Sequence, residues 1–359
     1  MAETLTKFAY QTLQQGKAAL SLAHKRLSGQ LLRDVAIPLG IVAVPEQSES
    51  TQLSEEQLKK IRDRYDQVLK ADWQDAEAGI YPTELLFDNP WGDILKFYPL
   101  VWLDLPQIWY RAGRKYFKDF SPAIDTTGYP NYYVQNFHHQ TDGYLSDLSA
   151  HLYDIQVEIL FNGAADAMRR RILAPLKQHL TAQGIADRRT TQVLDVACGT
   201  GRTLRLLRST FPKVALHGLD LSPHYVRKAS ELLADLPGEL PQLTQANAEE
   251  MPYRDRYFDA VTCVFLFHEL PAPVRQNVID QVFQVTKPGG IFVICDSIQL
   301  SDSPDMERAM EGFAKTFHEP FYRDYMRDDL VARLQTAGFT HIQEEQHFMS
   351  KYLIAYKPD

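Results

Sequence analysis

The chain has 359 residues, 45% of them hydrophobic, with 38 Lys/Arg against 46 Asp/Glu for a formal net charge of -8. An isoelectric point near 5.8 gives no general attraction to phosphodiester backbones, so nucleic acid is a disfavoured partner. The length suits two domains or one elaborated domain, and the three cysteines (Cys198, Cys263 and Cys295) provide no disulfide framework, which suits a reducing, cytoplasmic setting.

The opening "MAETLTKFAY" lacks a basic stretch running into an apolar one, so no secretory signal is expected. Leu5, Phe8, Leu20, Leu27, Leu31 and Val35 are loosely helical in spacing, and five Lys/Arg stand against two acids through Gly40. A helix lying on a membrane surface is one reading, and a helix packed on its own protein or on a second subunit is the favoured one. The apolar run Val35 to Pro45 is about half a membrane span, so no transmembrane helix is expected.

"VPEQSEST", Val44 to Thr51, reads as a polar linker. Ser54 and Gln57 then form a capping-box signature ahead of Leu58, Ile61, Tyr65, Val68 and Leu69 at helical spacing, which predicts a helix. From Tyr81 to Phe137 the chain is unusually aromatic, and Pro82, Pro90, Pro99, Pro106, Pro122 and Pro130 are expected to break it into short pieces. Such a segment either walls a ligand pocket or forms the core of a small helical domain. Leu145 to Gly163 and Ala164 to Gly184 read as two helices, the second stopped by its glycine.

From Thr190 onward the texture changes: "QVLDVA", "ALHGLDL", "FDAVTCVFLF" and "GGIFVICDS" read as strands with helical stretches between, and "HIQEEQHFM" and "SKYLIAYKP" as a terminal strand pair. Alternation of this kind predicts βαβ units and a parallel sheet. "KPGG", Lys287 to Gly290, reads as a turn leading into "IFVICDS".

Ligands of open parallel sheets sit beyond the carboxyl ends of the strands. The turn after "VLDVA" holds Gly199 and Gly201, which allow positive φ and close approach of a ligand to backbone. Leu204 stands where a dinucleotide fingerprint has its third glycine, and no G-K-[ST] follows, so a pyrophosphate ligand is disfavoured. Asp220, nineteen residues after Gly201, is placed to accept both ribose hydroxyl hydrogens, and Asp195 to meet an amino or cationic group. A nucleoside with a free ribose and an amino-acid tail fits, which describes S-adenosylmethionine.

"VLDVACGTGR", "LHGLDLS", "NAEEMPYRDRYFDAVTCVFLFHEL" and "TKPGGIFVICDS", in this order, resemble the class I S-adenosylmethionine-dependent methyltransferases over roughly residues 165 to 357. The resemblance implies an α/β fold, a Rossmann-like seven-stranded sheet in the order 3-2-1-4-5-7-6, mostly parallel with the last strand antiparallel. A catalytic domain over 161–359 would follow a mainly helical, aromatic-rich domain over 1–160 that binds the acceptor or covers it. The resemblance also implies that Asp195 and the loop Ala197, Cys198, Gly199 and Gly201 line the methionine end. Asp220 would hold the ribose, Leu221 the adenine, and Asn247 and Ala248 the adenine amino edge, with Phe265 also at the cofactor. Two departures stand out: Ala197 replaces the usual first glycine, and Asn247 an aspartate.

Methyl transfer needs donor and nucleophile aligned, and a base only where the acceptor has a proton to lose. His268, in "FLFHEL", is the candidate base or acceptor contact; the competing reading has it capping the next helix. His138, His139 and Tyr144 form a second polar group just before the sheet domain, either a lid over the acceptor or a solvated loop. Their spacing, with Asp142 and His151, matches no defined ligand set, and no metal is expected. His318 and Tyr322 in "FHEPFYRDY" are candidates for the opposite wall. The leading expectation is a methyltransferase of a small molecule, O- or N-directed. A protein or RNA acceptor, a non-catalytic S-adenosylmethionine-binding module and a nicotinamide-dependent dehydrogenase remain as rivals, and the oligomeric state stays open.

Overall fold

The computed structural model describes residues 2–42 and 53–359; the linker expected over Val44 to Thr51 lies outside them. The helices before the sheet are α1 (Ala2–Leu31), α2 (Glu55–Glu77), α3 (Trp91–Arg114), α4 (Asp147–Leu160), α5 (Ala165–Arg170) and α6 (Leu173–Ala182). Then follow β1 (Gln192–Val196), α7 (Arg202–Thr210), β2 (Ala215–Asp220), α8 (Pro223–Leu233), β3 (Gln242–Gln245), β4 (Phe258–Val264), α9 (Ala272–Val285) and β5 (Thr286–Ser297). The chain ends with α10 (Glu307–Thr316), α11 (Tyr322–Tyr325), α12 (Leu330–Ala337), β6 (Thr340–His347) and β7 (Ser350–Tyr356).

Two compact units result. One comprises the described residues up to Glu56 with Phe87–Asp166 and Arg308–Pro320; the other comprises Gln57–Leu86, Ala167–Glu307 and Phe321–Asp359. A boundary at 160/161 therefore leaves Gln57–Leu86 on the other side of the division from the unit they join. The reason is a buried polar contact that apolar periodicity does not announce. Arg170 places Nε and Nη2 on the two carboxylate oxygens of Asp72, 2.7 Å each, and Tyr81 Oη donates to the same carboxylate at 2.6 Å. A bidentate pair this deeply buried holds α2 to the sheet unit, because separating it would strand a charge out of water.

The helical unit is built on α1, α3 and α4. Phe97, Val101, Leu152 and Ile155 make its apolar centre between α3 and α4. Across from them α1 contributes His24, whose ring lies 4.4 Å from that of Trp102, and Lys17, paired with Glu158 at 3.2 Å. The prolines of the aromatic segment do not break it as expected, since α3 runs unbroken through Pro99 and Pro106. Both prolines sit on the exposed side of the helix, as does Leu95, whose carbonyl loses its N–H partner at Pro99. The Ala164 to Gly184 segment likewise departs from expectation, forming α5 and α6 with a break at Arg171 and Ile172. Pro175 sits in the first turn of α6, where no N–H is required, and Gly184 takes the left-handed conformation after its end.

The sheet of the second unit has seven strands in the order β3-β2-β1-β4-β5-β7-β6, parallel except for β7, which is antiparallel to β5 and β6. Val193, Leu194 and Val196 of β1 and Ala260, Val261 and Cys263 of β4 are fully buried, as strands covered on both faces must be. The right-handed crossover that parallel strands follow as a rule sets α7 and α8 on one face and α9 on the other, because the chain leaves β1 toward β2 but leaves β4 toward β5. Lys287 to Gly290 form a bulge inside β5: Phe258 pairs with Thr286, and Ala260 with Ile291.

Gly218, in the middle of β2, went unnoticed in the sequence. A Cβ there would lie 2.6 Å from Leu204 Cδ1 and 2.9 Å from both Cys198 Sγ and Leu243 Cδ2. The glycine lets α7 and the loop after β1 close on the sheet. Gly218→Ala is expected to destabilise the protein by about 1–3 kcal/mol in urea unfolding; an unchanged midpoint would show that the loop and α7 yield freely.

Candidate active site

β1 and β4 are neighbours whose connections run in opposite directions, so a crevice opens at their carboxyl ends. Asp195, next to last in β1, is buried, and its Oδ1 accepts a hydrogen bond from Thr262 Oγ1 of β4 at 2.7 Å. Its Oδ2 has no hydrogen-bond partner among the described residues. Burial pushes its carboxyl up to about 7; Thr262 and Arg169 oppose the rise and Asp220 adds to it. A buried carboxylate oxygen without a donor calls for one from a ligand, and a cationic donor most of all.

The loop that follows takes positive φ at three alternate residues, Ala197 (55°), Gly199 (54°) and Gly201 (84°). At Gly201 there is also no room, because a Cβ would meet Ala229 Cβ at 3.0 Å. Ala197 adopts the same conformation despite its side chain, at a cost of about 1 kcal/mol relative to glycine. The loop is not a phosphate cradle. The N–H groups of Cys198, Gly199 and Gly201 go to Leu219 O, Asp220 Oδ2 and Cys198 O, at 2.8–3.0 Å.

Asp220 ends β2 and ties this loop down: Oδ2 accepts from Gly199 N and Oδ1 from Ser222 N, both at 2.8 Å. Burial raises its carboxyl to about 6 against these backbone hydrogen bonds, and each oxygen keeps a lone pair for a further donor. Ser222 and Pro223 start α8 by themselves, with Ser222 Oγ accepting from Tyr225 N, so Asp220 is not needed as a cap. Leu221 follows, half-buried. Ala246 N donates to Asp220 O, which brings Asn247 and Ala248 to the same edge. Asn247 Oδ1 already accepts from Glu249 N at 3.0 Å, so this side chain braces its own turn.

β4 stops at Val264, three residues short of the expected end, because Phe265 turns to φ 59°. The Arg169 guanidinium lies 5.7 Å from the Phe265 ring. His268 then sits in a single turn over Phe267–Glu269, and α9 begins after Pro271 with no side-chain cap, so His268 does not cap it. What holds His268 is Asp296 at the end of β5. Its Oδ1 lies 2.6 Å from His268 Nδ1, while Oδ2 accepts from Leu266 N and Phe267 N at 3.0 and 2.6 Å. A carboxylate at Nδ1 fixes the tautomer and leaves the lone pair of the neutral ring on Nε2. Glu269 is 3.9 Å from Nε2. The Tyr322 ring stands edge-on to His268 at 6.2 Å, its hydroxyl 2.9 Å from Ser297 Oγ.

His138, His139, Tyr144 and His318 all fall in the helical unit. Tyr144 is buried against Phe137, ring centroids 5.5 Å apart, and serves the core there. The histidines do gather: His138 pairs with Glu319, and His318 stacks on Phe117 at 3.9 Å with His139 ring-to-ring at 5.8 Å. Burial lowers both His139 and His318 to about 4, so both rings are neutral at physiological pH. His138, His139 and Asp142 all have positive φ, a concentration of backbone strain.

Thr262, Arg169 and Asp296 escaped sequence reading. Only Asp296 left a signal, as the carboxylate closing the strand next to the one that leads to His268.

Residues 193–290 match a family described as a methyltransferase domain. The chain is 30% identical over 166 residues to a phosphatidylethanolamine N-methyltransferase of Cereibacter sphaeroides, covering 45% of this chain and 74% of that one. A demethylmenaquinone methyltransferase of Anoxybacillus flavithermus is 27% identical over 190 residues, covering 47% of this chain and 79% of its own. The chain belongs to the S-adenosylmethionine-dependent methyltransferases, and S-adenosylmethionine is its cofactor. A solved phosphoethanolamine N-methyltransferase 2 of Haemonchus contortus with S-adenosylmethionine is 17% identical, covers 60% of this chain and 58% of its own, and has a TM-score of 0.44, too slight a likeness to argue from.

A cation meeting Asp195 must displace its proton. Binding of S-adenosylmethionine is expected to strengthen as pH rises toward 7 and to level off above it. At pH 6.5 it should release about half a proton or more, read from the buffer dependence of the calorimetric heat. Equal heats in buffers of different ionisation enthalpy would contradict this role for Asp195.

Proposed function

We propose that the enzyme methylates a small molecule at oxygen or nitrogen, with His268 as the group that receives the acceptor's proton. The observation that carries this reading is the Asp296–His268 pair at the carboxyl end of β4, beside Asp195 and Phe265 at the same sheet edge. Bound S-adenosylmethionine supplies an electrophilic methyl group on a sulfonium sulfur. Asp195 would take its amino group, Asp220 its ribose hydroxyls and Leu221 the face of its base, while Asn247 and Ala248 border the base edge. The loop Ala197–Gly201, Cys198 included, would pass beneath, free of side chains beyond Cβ at Ala197, Gly199 and Gly201.

A protonated hydroxyl or ammonium is a poor nucleophile, so removal of its proton is the chemical task left to the protein. His268 Nε2 is the basic atom of the ring, and the Asp296 carboxylate would stabilise the imidazolium that forms, as a buried acceptor does for a catalytic histidine. The relatives named for phosphatidylethanolamine and demethylmenaquinone support a small, largely apolar acceptor over a protein or RNA. The aromatic content of the helical unit is in keeping with such an acceptor, and burial keeps its His139 and His318 neutral. The thiols of Cys198, Cys263 and Cys295 are all free and buried, in keeping with a cytoplasmic setting.

The test uses S-adenosylmethionine labelled in its methyl group, incubated with the protein and a whole-cell extract. Label is expected in the organic-extractable fraction; label confined to precipitated protein or RNA would overturn the small-molecule reading. With the acceptor in hand, His268→Ala should lower turnover about 10²–10⁴-fold while S-adenosylmethionine affinity holds within about twofold. Asp296→Asn should fall between that variant and wild type. Unchanged turnover in His268→Ala would show that no base is used.

A further inference from the structure

The helical unit presents an outward face for which neither its fold nor the methyl transfer gives a use. Of the sixteen large apolar side chains that are exposed among the described residues, twelve lie either between Leu5 and Ile41 or on α3, so the exposure is concentrated. On α1, Tyr10, Gln14, Ser21 and His24 face inward, while Leu5, Phe8, Leu20, Leu27 and Leu31 point out. On α3, Leu95 is 79% and Leu103 72% exposed, one row with Pro99 between them, and exposed Trp91 and Tyr116 stand at its two ends. Soluble helices usually turn charge outward; these turn leucine outward.

The charge on the face is mainly positive, with Asp34 an exposed acid in the turn after α1. Residues Thr4 to Arg33 include no acid at all, in a chain with 46 Asp/Glu and a net charge of -8. Lys7, Arg26 and Arg33 are exposed on α1 and the turn after it, and Lys96, Arg114 and Lys115 on α3 and its end. The two acids of α3 are Asp93, half-buried, and Asp104, buried against Thr141 and Arg111.

We infer that this face docks on an anionic lipid bilayer. Leucines and prolines would enter the acyl boundary, the aromatic rings at the ends of the α3 row would sit at headgroup depth, and the Lys and Arg stems would carry their charges to lipid phosphates. α1, at about 45 Å, is long enough to lie along a wide stretch of surface. A second copy is a poorer occupant, because a two-fold interface sets each face against itself and would bring like charges together. No helix among the described residues is long and apolar enough to cross a membrane, so the attachment is to one surface. The inference does not depend on which acceptor is methylated.

The full-length protein would be floated with vesicles of phosphatidylcholine mixed with phosphatidylglycerol, and with vesicles of phosphatidylcholine alone. Partitioning onto the anionic vesicles is expected to be about tenfold stronger or more, and to weaken as salt is raised. The doubly substituted Leu95→Ser, Leu103→Ser protein, changed only at exposed positions, should lose about tenfold in vesicle binding while keeping its thermal midpoint and its S-adenosylmethionine affinity. Arg26→Glu with Arg33→Glu should remove most of the preference for anionic lipid. Wild type that floats with neither vesicle overturns the proposal. So does a wild-type dimer in solution that the two serine substitutions dissociate, since the face would then belong to a second copy.

Discussion

Two carboxylates on neighbouring strands, Asp195 buried and Asp220 half-buried, are the constraint around which the sheet unit is arranged. Asp195 and Asp220 both have their carboxyl groups raised by burial, and the charge of Asp220 raises Asp195 further. Like charges so placed weaken one another unless donors surround them. Asp220 answers with two backbone N–H groups, and in doing so fixes the loop between β1 and α7 and the start of α8. Asp195 has only Thr262 and is left with an open oxygen. The fold thus completes one carboxylate and leaves the other with an oxygen open to a donor from outside the protein.

The same division of labour recurs where β4 ends beside β5. Asp296 is spent on its own protein, accepting from two backbone N–H groups and from His268. The histidine is thereby held in one tautomer at the end of β4, on a turn that would otherwise be a loose connection to α9. The polar side chains gather at the strand ends, and the helices behind them carry the packing, as in other sheets whose order reverses at a crevice.

Much of this was legible in the sequence because it depends on local signals. β1, β2, β4 and β5 are apolar runs set between helical stretches, whereas the polar β3 left no such run, and Ser222–Pro223 marks the start of α8 whatever surrounds it. The glycines of the loop declare their φ by their identity. What was not legible depends on partners distant in sequence. Asp72 and Arg170 meet across 98 positions and attach α2 to the sheet unit, which no periodicity in α2 reveals. Asp296 looks like any polar residue closing a strand until β5 is set beside β4. Pro99 and Pro106 predict a break that the helix avoids with both prolines on its exposed side, and exposure is a property of the packed unit rather than of the residues.

The central claim is that the loop after β1 and the carboxylate ending β2 bind S-adenosylmethionine and not a dinucleotide. Calorimetric titration of S-adenosylmethionine, and separately of NAD, into wild type and Asp220→Ala tests it most directly. The account predicts that wild type binds the first and not the second, and that Asp220→Ala loses about tenfold or more in affinity, since it removes the ribose contact and the anchor of Gly199 together. Binding of NAD by wild type, or S-adenosylmethionine affinity untouched by the substitution, would contradict it.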